Sequence, residues 1–91
     1  MDKSAGATWV GAFTSALGQY ATVLSLARRW RALDAQYDLL WNEMFEQYGA
    51  ANMFLPQVTE QLIPLMNERD AALRRLRRAI DSLEASQGPH E

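Results

Sequence analysis

Four carboxylates at helical spacing, Asp34, Asp38, Glu43 and Glu46, are the residues of this chain best placed to do chemistry. Asp34 and Asp38 lie one helical turn apart, and paired carboxylates can hold a divalent cation or share a proton. A dinuclear carboxylate centre in a helical bundle also requires Glu-x-x-His pairs. The one histidine is His90, far from these acids in sequence, and there is no cysteine. Disulfides, thiolate catalysis, zinc fingers and iron–sulfur ligation are therefore excluded. No nucleophile–base constellation and no phosphate-cradling glycine loop occurs. The sequence predicts no enzyme, no metal site, no cofactor and no small-molecule substrate, and the carboxylates read as a solvated helix face.

The second charged feature is the run Arg74-Arg75-Leu76-Arg77-Arg78. Such a run can grip anionic lipid headgroups or nucleic-acid phosphates. Nucleic acid is disfavoured, because nine Lys/Arg against eleven Asp/Glu leave a net charge of -2, whereas a dedicated binder is clearly basic. Asp70, Asp81 and Glu84 flank the run, and no aromatic residue interleaves it. Anionic lipid is the remaining ligand, beside the plainer reading of a solvated helix face whose cations complement the helix dipole.

The elements that must carry these residues are helices. Among 91 residues, 48% hydrophobic, there is no period-2 alternation and no Asn-Gly or Asp-Gly turn. The punctuation predicts an all-α chain acting as a single unit. It has a long first helix from about residue 4 to 48, a loop at 49–55, a second helix over 56–86 and a tail at 87–91. Pro56 suits the first turn of the second helix. Pro64 either kinks that helix or marks its true start.

The first helix divides in two. Residues 4–27 carry no charge, and Trp9 and Trp30 bracket them 21 positions apart, roughly 31 Å along a helix and close to a bilayer's ~30 Å hydrocarbon core. Arg28, Arg29 and Arg31 follow, so Trp9, Trp30 and these arginines read as interface anchors. Ala7, Gly11, Ser15, Gly18 and Thr22 form a small-residue stripe suited to close helix packing in lipid. The expectation is a single membrane span, with the rest of the chain on the cytoplasmic or matrix side, as in an organelle inner membrane. A buried helix of a soluble, cytoplasmic protein is the alternative, and a secretory leader a third reading.

Residues 28–48 read as an amphipathic helix. Trp30, Leu33, Tyr37, Trp41, Met44, Phe45 and Tyr48 make an aromatic-rich face suited either to a partner or to the second helix. In that second helix Leu62, Met66, Leu73, Leu76, Ile80 and Leu83 follow a heptad-like spacing interrupted by Arg69. Such a seam needs a second helix, so a helical hairpin or a coiled coil with another chain is expected. The function these features predict is a non-catalytic accessory or structural subunit of a membrane protein complex, packing helix against helix with other protein subunits. The alternative is a soluble hairpin adaptor or chaperone that takes a partner helix on its aromatic stripe.

Overall fold

The computed structural model describes the backbone of residues 3–87 and the side chains of residue 11 and residues 14–86. Two helices fill it: α1 over Lys3–Tyr48 and α2 over Pro56–Gln87, joined by a short 3-10 turn at Ala50–Asn52. They fold back on each other as an antiparallel hairpin, a rod of 73 × 23 × 16 Å.

The turn is built from local chemistry. Gly49 takes φ 81° and ψ 164°, a region that only glycine enters readily. Its N–H donates to the Phe45 carbonyl at 2.8 Å, closing α1. The Asn52 side chain donates to the Tyr48 carbonyl at 2.8 Å, satisfying a second orphan acceptor of that helix end. On the far side the Leu55 carbonyl accepts from Val58 and Thr59 at 2.9 and 3.0 Å. Pro56 is then the first residue of α2, where its missing N–H leaves no bond unmade. Pro64 lies inside a helix that runs on past it, so it does not mark the start, and the Glu60 carbonyl one turn back goes without its usual donor.

Pairing follows a heptad register on both helices. On α1, Gln19, Val23, Leu26, Trp30, Leu33, Tyr37, Leu40 and Met44 are all buried or half-buried. On α2 the matching line is Val58, Leu62, Leu65, Arg69, Ala72, Leu76, Ala79 and Leu83. Spacings that alternate three and four hold one seam against the partner helix. Leu62, Leu76 and Leu83 of the expected seam lie on this line, while Met66 and Leu73 sit half-buried at its edge and Ile80 is exposed. The line passes through Leu65, Ala72 and Ala79 instead; a search for large apolar residues overlooks alanines, although small side chains suit the closest part of a two-helix contact.

The core is concentrated near the turn. Met44, Met53, Val58 and Leu62 form one buried cluster, with Tyr37, Leu40 and Tyr48 packed on it, and Val58 is 0% exposed. Fully burying such a side chain stabilises the fold by about 1.5–3 kcal/mol. Facing pairs then run up the rod from Met44 and Val58 through Asp34 and Arg69 to Gln19 and Ser86. Because α1 has 46 residues and α2 has 32, about fourteen residues of α1, roughly 21 Å, extend beyond the end of α2.

The expected membrane span finds no support in the fold. No helix among the described residues is long and apolar enough to cross a membrane. Within residues 4–27, serine, threonine, glycine, Gln19 and Tyr20 dilute the apolar side chains too far. The pairing gives a second reason: residues 19–27 lie alongside the part of α2 that holds Arg77, Arg78, Asp81 and Glu84. Charges placed there would have to enter the hydrocarbon with the helix.

Candidate helix-docking face

Where the aromatic stripe of α1 meets α2, the hairpin divides it. Leu33 and Met44 are buried, and Trp30, Tyr37 and Tyr48 are half-buried. Trp41 and Phe45 stay outside, 37% and 40% exposed, with their rings stacked at 5.2 Å between centroids and 15° between planes. Phe54 stands 89% exposed on the loop. Between them lies an apolar groove of ≈ 270 Å³, lined by Tyr37, Trp41, Met53, Phe54, Thr59, Leu62, Ile63 and Met66. Phe54, Ile63 and Met66 bring the loop and α2 into a surface that the stripe alone did not disclose. The apolar triplet Met53-Phe54-Leu55 was its sequence signal.

Arg69 explains the interruption in the apolar seam. Its guanidinium lies 4.3 Å from the centre of the Tyr37 ring. The same group pairs with Asp34 at 3.6 Å and with Asp70 at 3.5 Å. A planar, weakly hydrated cation can stack on an aromatic face while keeping its hydrogen-bonding edge for carboxylates. Asp34 therefore serves this contact. Among the described residues no group of three or more His, Asp or Glu is arranged to hold a metal ion.

No protein family, no curated protein and no solved structure matches this chain.

Further from the turn, the small-residue face points partly at α2. Ser15, Gly18, Gln19 and Thr22 face Ala79, Ser82 and Leu83 across an open groove of ≈ 510 Å³. A methyl group added at Gly18 or Gly11 would meet nothing within 4 Å, so within one chain these glycines permit no close approach that alanine would forbid. Thr22 donates its hydroxyl to the Gly18 carbonyl at 3.0 Å, and the Ser86 hydroxyl donates to Gln19 Oε1 at 3.0 Å. The side chains of Ala7 and Trp9 lie outside the described residues, as does His90.

The hairpin also brings two basic segments together. Arg28, Arg29 and Arg31 of α1 stand at the level of Arg74, Arg75, Arg77 and Arg78 of α2, and all seven are exposed. The one ion pair found for this belt among the described residues, Arg29 with Glu68 at 4.0 Å, is well exposed on both sides and contributes little.

Proposed function

We propose that this chain is a small accessory or adaptor protein that works by helix–helix docking and does no chemistry of its own. The observation that carries this reading is the groove ringed by Trp41, Phe54, Ile63 and Met66, with the Trp41–Phe45 stack at its edge. Large aromatic side chains left in water around an apolar furrow are what a helix-in-groove contact requires, since Trp and Tyr-type anchors contribute most of the energy at such surfaces. The partner implied is an amphipathic helix of another protein, laying an apolar face along the furrow.

The test is affinity capture from the native host with the wild type, with Trp41→Ala/Phe54→Ser, and with Gln36→Ser, at an exposed position away from both surfaces, as a control. Both aromatic positions are exposed, so circular dichroism should show undiminished helix in the double variant while its captured partners are lost. Identical capture by all three proteins would remove the groove from consideration.

A second reading, that the arginine belt rests on an anionic lipid surface, is favoured by the seven exposed arginines gathered at one level of the rod. Basic residues near such a surface add about 1 kcal/mol each at low salt. Co-sedimentation with phosphatidylserine vesicles, lost on Arg74→Ser/Arg77→Ser/Arg78→Ser and weakened by salt, is the expected result. Salt-insensitive or arginine-independent sedimentation would count against it.

A further inference from the structure

The hairpin leaves much of its apolar surface wet: seven hydrophobic residues are buried, while ten large ones are exposed among the described residues. Two helices form only one layer, and a stable domain normally closes a second layer over the first. What covers this face is written in the register. Tyr20 and Trp41 are 21 residues apart, as are Leu24 and Phe45, which is three heptads each, so the two pairs share one side of α1, roughly 31 Å apart. Leu17, Tyr20 and Leu24 are each about half exposed, and Ile80 of α2 stands at the level of Leu24. One side of the rod thus carries two apolar patches, one far from the turn and one near it.

The charges between and around these patches are opposite. Residues 17–31 with 73–87 hold seven arginines against Asp81 and Glu84, a net of +5. Residues 32–72 hold Arg69 against seven carboxylates, a net of −6. A surface with an apolar patch at each end, one half positive and one half negative, is complementary to itself when turned end for end.

We propose that the occupant of this face is a second copy of the chain, packed antiparallel about a two-fold axis near Ala32 and Leu33 to close a four-helix bundle. In that arrangement Leu24 of each copy meets Trp41 of the other, Tyr20 meets Phe45, Arg31 comes opposite Asp34, and Arg28 comes beside Asp38. The proposal rests on the helix-docking reading above and names the docking helix as the chain's own α1.

Sedimentation equilibrium over a wide concentration range tests it. The wild type should approach twice the 10.3 kDa chain mass, and Leu24→Asp should remain monomeric with its helix content retained. Arg28→Glu and Asp38→Arg, both at exposed positions, should each weaken pairing about tenfold or more, because symmetry places the like-charge contact twice. An equimolar mixture of the two should recover a heterodimer, since both contacts between positions 28 and 38 then join opposite charges. A monomer at every concentration, or a dimer indifferent to all three substitutions and to mixing, overturns the antiparallel pair. A monomeric chain whose partner capture is still lost on Trp41→Ala/Phe54→Ser would overturn self-pairing and leave the docking face standing. A chain that neither pairs nor depends on those aromatics would overturn both.

Discussion

The two ends of this rod are made from the same two helices and packed in different ways. Near the turn, Met44, Met53, Val58 and Leu62 interlock beneath Tyr37, Leu40 and Tyr48. At the far end, Ser15, Gly18, Gln19 and Thr22 face Ala79, Ser82 and Leu83 over open space, joined by one hydroxyl hydrogen bond between Ser86 and Gln19. Large apolar side chains at seam positions exclude water and hold the helices in register, whereas small polar ones leave a furrow open to solvent. Within a single hairpin, stability should therefore be concentrated at the turn, and the far end should open first.

The sharpest way to break that contrast is at the core. Leu62→Ala should cost about 2–5 kcal/mol in chemical denaturation, the range for emptying a packed leucine site. Pro64→Ala should act the other way, raising stability by up to about 3 kcal/mol, since it returns a donor to the Glu60 carbonyl at an exposed position of α2. A fall in the denaturation midpoint would show that the proline shapes a contact α2 needs. Gly49→Ala should cost about 1–3 kcal/mol in the same assay, entirely through backbone conformation, because its methyl group would meet no neighbour.

Between the two ends, Arg69→Ala removes the stack on Tyr37 and the pairing with Asp34, and a loss of about 1 kcal/mol is expected for a contact that water still reaches. Smallest of all, Ser86→Ala and Thr22→Val at the far end should shift stability by no more than about 0.5 kcal/mol. Amide exchange on the monomeric Leu24→Asp variant sharpens the same comparison: protection should fall along α2 from Leu62 toward Leu83. In the wild type the antiparallel pair covers the far end, and protection there should approach that near the turn.

Much of this was legible in the chain. The two helices, the break at Gly49 and the role of Pro56 follow from rules that act within a few residues: φ above zero calls for glycine, and proline is tolerated where no N–H is needed. The heptad spacing of α2 was legible too, and its line displaced by one position, because alanines at 72 and 79 carry no hydrophobic signal until a neighbouring helix lies on them. The uncharged stretch at 4–27 was harder to read. Lack of charge is shared by spanning helices and by helices facing small-residue grooves. The serines, threonines, glycines, Gln19 and Tyr20 that dilute its apolar side chains weigh against a span, and α2 alongside residues 19–27 adds a second reason.

What the sequence determined by itself is what depends on near neighbours: helical periodicity, the caps, the turn, the net charge, and the want of any thiol. Tertiary structure alone decided which aromatics of the stripe are core and which are surface, what Arg69 is for, and that arginines far apart in the chain form one belt. Those outcomes depend on the register between α1 and α2. Register is set by how the buried side chains of both helices fit at once, a property of the pair that neither stretch of sequence contains alone.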